Sequence, residues 1–168
     1  MADKAQLRAG VTPRIFASWR RPCQVVRGLS PMSEGALLAI LMGSMLVFLI
    51  AQMPAHARAA ALDPAVPFAG RMAGAVTAVL LIGPLLAYAA ASILELALRL
   101  TPWRIAPANS RLALFWALMA VTPAVLLSGL VEGIIGPGSA LSLTRLIAGA
   151  GFLAIWFAGI RALAVRKP

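Results

Sequence analysis

Four long apolar stretches, nearly free of charge, constrain this chain more than any other feature in it. A hydrocarbon core of about 30 Å is crossed by about 20 helical residues at ~1.5 Å each. Inside a bilayer there is no water for backbone N–H and C=O groups, so a stretch of this kind has to satisfy them within its own helix. The stretches fall at about 34–53, 70–100, 111–133 and 140–163. They account for a hydrophobic fraction of 61 % in 168 residues, where soluble domains carry about 45–50 %. The expected fold is therefore all-α: a polytopic transmembrane bundle of four spans over 34–163. A basic segment, 1–33, precedes it and a short basic tail, 164–168, follows.

The helix boundaries can be read from local chemistry. Ser30-Pro31 offers a start for the first span, with serine capping free N–H groups and proline in the first turn. Glu34 complements the helix dipole there, and Pro54 predicts the end. Ala55-His56-Ala57 and Ala57-Arg58-Ala59 have the small-x-small form of a signal-peptide cleavage site. The long basic lead-in does not fit a short n-region, so the span reads as uncleaved. Residues 54–70 read as a loop. The second stretch is longer than a membrane requires, and Gly83-Pro84 sits in its middle. Pro84 removes the hydrogen bond to the Leu80 carbonyl, which predicts a kinked, tilted span. A re-entrant hairpin at the same dipeptide is the alternative. In the third span Pro123 frees the Met119 carbonyl, and Thr122 stands where it can satisfy the group. The 101–110 linker carries Trp103 at an interface depth. Gly133 to Gly138 reads as a tight turn before the fourth span.

The formal charge is +10. The basic residues sit between apolar runs, and no basic face with interleaved aromatics appears, so nucleic acid is not an expected partner. Six lie before the first span, three at Arg99, Arg104 and Arg111, and three at Arg161, Arg166 and Lys167. Arg58, Arg71 and Arg145 fall on the other side. By the positive-inside rule both termini are cytoplasmic. In the lead-in, Leu7, Val11, Ile15, Phe16 and Trp19 share a helical side. Arg14, Arg20, Arg21 and Arg27 become candidate contacts for anionic lipid headgroups. Pro13 and Pro22 limit this to a short interfacial helix, with a loosely ordered tail as the alternative.

Ionisable groups in or near spans are the candidate functional residues. Glu132 and Arg145 flank the turn between spans three and four and can close that hairpin as an ion pair, or contact a substrate. Glu95 has Arg99 at i+4, with Arg111 as a second candidate partner. Arg71 can snorkel to the headgroups. His56, the only histidine, and Cys23, the only cysteine, have no neighbours for a metal site or an acid–base pair. No cofactor is expected. For helix packing, Gly129-x-x-x-Gly133 and Gly70-x-x-x-Gly74 allow close approach, the second more weakly because it lies at a helix end. Gly43, Gly149, Gly151 and Gly159 add small faces.

The stretch Arg111-Leu-Ala-Leu-Phe-Trp-Ala-Leu, followed by Ser128-Gly-Leu-Val and Gly136-Pro-Gly, resembles small bacterial proteins of the YIP1 family. Val25-Val-Arg-Gly-Leu and the run from Leu41-Met-Gly to Ala51-Gln are similar to their first-helix region. The resemblance covers residues 20–160 and implies a multi-span α-helical bundle, here of a bacterial inner membrane; no catalytic residues belong to it, so none are carried over. Eukaryotic members have about five spans and act in vesicle transport with small GTPases. Taken together, the chain reads as a non-enzymatic membrane protein: an accessory, scaffold or assembly factor acting through helix packing and a basic cytoplasmic face. Its expected partners are lipids, other membrane proteins or further copies of itself. The alternative is a small oligomeric transporter or channel, since spans kinked at Pro84 and Pro123 resemble broken transporter helices.

Overall fold

The computed structural model describes residues 10–166; Lys4, Leu7, Arg8 and Lys167 lie outside them. Six helices follow one another: α1 (Val11–Ser18), α2 (Pro22–Leu29), α3 (Glu34–Leu62), α4 (Phe68–Arg99), α5 (Pro107–Ile134) and α6 (Ser139–Leu163). The last four are each long and apolar enough to cross a membrane.

Three boundaries differ from the sequence reading. Ser30 does not open the first span. It closes α2, and its hydroxyl bonds Asn109 Oδ1 at 3.1 Å. Ser33 caps α3 instead, accepting from the Ala36 N–H. Nor does Pro54 end α3, which runs on to Leu62. A proline costs its helix one hydrogen bond, and Ala55, Ala57, Ala59, Ala60 and Ala61 are the strongest helix formers available to resume it. The loop expected at 54–70 shrinks to 63–67. Finally, α5 begins at Pro107, a residue suited to the first turn, so the preceding linker is shorter than 101–110.

The second stretch is one continuous span rather than a hairpin. A π-helical turn, Thr77–Ile82, lies immediately before Gly83-Pro84. The hydrogen-bond ladder thus changes register where proline cannot donate. Pro123 is handled differently. Thr122 Oγ1 donates to the Met119 carbonyl at 2.8 Å, replacing the bond that proline removes.

The bundle is organised around α5. Helix α3 runs parallel to it, because Glu34 meets Arg111, Gly43 meets Met119, Ala51 meets Gly129 and Pro54 meets Gly133. Helices α4 and α6 run antiparallel to it: Ser110 Oγ donates to the Ala91 carbonyl, and Gly159 faces Ala113. The starts of α3 and α5 and the ends of α4 and α6 therefore share one end of the bundle. A two-residue antiparallel ladder ties that end together, pairing Trp103–Arg104 (β1) with Val165–Arg166 (β2). The centre is filled by Leu37, Leu41, Leu112, Phe115, Trp116 and Ile155.

Small residues explain why α5 is the hub. Lipid tails are as apolar as leucine, so helices associate in a membrane through close packing and polar contacts. A Cβ on Gly129 would lie 1.8 Å from the Ala51 carbonyl oxygen, and one on Gly133 would lie 2.3 Å from Pro54 Cβ. The α3 and α5 backbones touch at both glycines. Gly74 has nothing within 4 Å, so the Gly70/Gly74 pair brings no other helix close.

Candidate functional site

The N-terminal segment is where the structure departs furthest from the sequence reading. Helices α1 and α2 form a hairpin packed into the bundle rather than an amphipathic helix lying across its end. Trp19, in the turn, donates from Nε1 to the Ala120 carbonyl at 2.9 Å. Its ring occupies space that a Cβ on Gly151 would need, with Cη2 2.4 Å from that position. Ala120 and Gly151 are the midpoints of α5 and α6. One residue earlier, Ser18 is fully buried. It accepts from Trp116 Nε1 at 2.8 Å and donates to the Arg14 carbonyl at 2.8 Å. A buried indole N–H is costly without an acceptor, and Ser18 provides one.

From this turn α2 runs back along α6. Cys23 Sγ lies 3.4 Å from the Ala158 carbonyl, Val26 packs on Gly159, and Arg27 Nε donates to the Ala162 carbonyl at 3.2 Å. The lone cysteine is thus half-buried against α6. Of the four arginines expected at headgroups, Arg14 is half-buried on α1, its carbonyl bonded by Ser18, and the other three lie at different depths. Arg27 is beside the end of α6, whereas Arg20 and Arg21 adjoin Trp19 at mid-height. Both of the latter are exposed. They line a recess of about 640 Å³ with Phe16, Ala17 and Trp19.

The charged pairs sit towards the two ends. Glu95 and Arg99 pair at 2.5 Å, one turn apart on α4. Arg111 does not join them. It pairs with Glu34, closing α3 on α5, because the parallel register of these two helices brings their first turns side by side. Arg71 pairs with Asp63 at 3.1 Å across the short 63–67 loop. At the other end of the bundle from Arg111, Glu132 and Arg145 pair at 2.9 Å between α5 and α6. They line a recess of about 220 Å³ with Gln52 and Ser128. Arg58, placed in a loop by the sequence reading, lies on α3 and donates to the Gly133 and Ile134 carbonyls. It supplies the cation that the C-terminal end of α5 favours. Gly136, at φ +91°, packs against its guanidinium. Among the described residues no three His, Cys, Asp or Glu side chains gather as a metal site.

Sequence reasoning missed the Trp19 seat, the Ser18–Trp116 bond, the Arg58 cap and the Glu34–Arg111 pair. Only the first left a signal, since Gly151 is one of the small positions on the fourth span. Protein-family models, curated proteins and solved structures contain no match to this chain.

Proposed function

We propose that the chain is a non-enzymatic, multi-pass protein of a bacterial inner membrane, acting as an accessory, scaffold or assembly factor. The observation that carries this reading is the contrast between a filled centre and an open flank. At mid-height Phe115, Trp116 and Ala120 are buried, and Trp19 is seated over them. On α4, Leu81, Leu85, Leu86, Ile93 and Leu96 are exposed. A single copy has its packing inside and a broad apolar face outside, which suits helix–helix association with another membrane protein. The resemblance to small bacterial YIP1-family proteins is kept as part of this proposal and implies the multi-span helical architecture alone.

In this proposal both termini are cytoplasmic, and the distribution of charge supports it. Arg27, Arg99, Arg104, Arg111, Arg161 and Arg166 cluster at the end where α3 starts, against Arg58, Arg71 and Arg145 at the other. The positive-inside bias assigns the richer end to the cytoplasm, where it can also meet anionic headgroups or an acidic partner.

A small oligomeric transporter is the second reading. It is favoured by the recess at Gln52, Ser128, Glu132 and Arg145, which places polar groups between three spans. Purification in mild detergent separates the two. A stoichiometric complex with another membrane protein supports the scaffold. A pure homo-oligomer with a water-filled axis, whose flux falls in Glu132→Gln, replaces it with transport.

A further inference from the structure

We infer that the turn between α1 and α2 binds the phosphate of an anionic phospholipid, drawn part-way into the bilayer. The inference rests on the membrane reading above and deepens it: a general attraction to headgroups becomes one built site.

Depth is the first argument. The Trp19 bond to Ala120 lies about 20 Å in from the Pro107 end of α5, and its seat at Gly151 about 18 Å in from the Leu163 end of α6, at ~1.5 Å per residue. Arg20 and Arg21 follow directly in the chain. They cannot retreat as a unit, because the indole bond of Trp19 and the buried Trp116–Ser18 bond pin the turn. Neither arginine makes an ion pair among the described residues. A guanidinium at such a depth is costly unless a counter-charge or water reaches it.

The surroundings select the counter-charge. The recess beside the two arginines is lined by Phe16, Ala17 and the Trp19 ring. Cationic forks with an aromatic wall suit a group that is anionic at one end and apolar at the other. Arginine binds phosphate bidentately, while the exposed Phe16 ring offers acyl-chain contact. Helix α2 begins here at Pro22 with no side-chain cap, so its positive dipole end adds to the same turn. A free phosphate would find the charge but would leave the aromatic wall bare.

The test uses the full chain in mild detergent, with lipids retained counted by native mass spectrometry. Phosphatidylglycerol is the probe and phosphatidylcholine the comparison. Wild type is expected to retain the anionic lipid preferentially. Arg20→Gln/Arg21→Gln should lower that retention by about tenfold, the scale of a lost charged contact, and Arg104→Gln/Arg166→Gln by less than about twofold. Millimolar inorganic phosphate should not displace the lipid. Equal losses in the two double variants would mean diffuse charge, and unchanged retention in the first would mean no site. Displacement by phosphate would mean a soluble anion, and an acidic protein held in place of lipid would mean a protein surface. Each of these overturns the inference. If the first variant fails to fold, wild type in brominated phosphatidylglycerol decides. Its fluorescence must be quenched more than that of Trp19→Phe, and more than in brominated phosphatidylcholine; equal quenching overturns the site. Loss of lipid preference with a partner still bound would remove this site and leave the scaffold reading standing.

Discussion

Helices α5 and α4 have nearly the same length and hydropathy but opposite surroundings. Of the most apolar 18 residues in each, 56 % are buried in α5 and 11 % in α4. Hydropathy decides whether a helix enters a membrane. It does not decide whether its neighbours there are protein or lipid. What separates the two is residue size and partner chemistry. Helix α5 carries Gly129 and Gly133 against α3, and Trp116 and Ser110 bonded to other helices. The buried residues of α4 are only Ala75, Ala87 and Ala91.

The comparison breaks most readily at the glycines. Gly129→Leu must push α3 and α5 apart and should cost about 3 kcal/mol, seen as a lower unfolding midpoint in detergent. The matched change on α4, Gly74→Leu, should stay within about 0.5 kcal/mol, because its Cβ position is open. Equal losses would remove the distinction between the helices. Next in size is Trp116→Phe, which removes the N–H that Ser18 accepts and leaves a gap where the larger indole was. A loss of about 1–2 kcal/mol is expected, with faster amide exchange in α1. On the outer flank of α4, Leu85→Ala/Leu86→Ala should leave the midpoint of the isolated chain within about 0.5 kcal/mol. The same pair should reduce recovery of a co-purifying membrane partner; unchanged recovery would assign this flank to lipid. The smallest effect belongs to Glu95→Gln. Arg99 is mostly exposed, so losing the pair should change stability by less than about 0.5 kcal/mol, and the change should shrink further in high salt.

These contrasts also show what could be read from the chain alone. The four apolar helices were visible because hydropathy is a local property. So were the Glu95/Arg99 spacing and the Glu132/Arg145 hairpin, whose partners are near in sequence or joined by one turn. Gly129 and Gly133 were visible as a small-xxx-small spacing, a pattern common in Gly/Ala-rich spans; that α3 is the helix they admit was not. Pro54 misled because its penalty is local and small compared with the alanine-rich helix that continues past it. Glu34–Arg111 and Trp19–Ala120 depend on which helix lies beside which and in what register. Composition carries no record of that. The lead-in was the hardest region: its apolar and basic residues suit a headgroup layer and a hairpin packed on the bundle equally well, and the Gly151 seat for Trp19 lies far along the chain.

That distance sets an order of assembly. The Trp19 seat is made of Ala120 and Gly151, and α2 lies along α6. None of these surfaces exists while the first two spans are being made. At about 5–20 residues per second, the ribosome needs roughly 7–26 s after Trp19 emerges to supply Gly151. Through that interval the N-terminal hairpin has nowhere in its own protein to go. It can dock only once α5 and α6 have both been made, so the first part of the chain to emerge depends on the last.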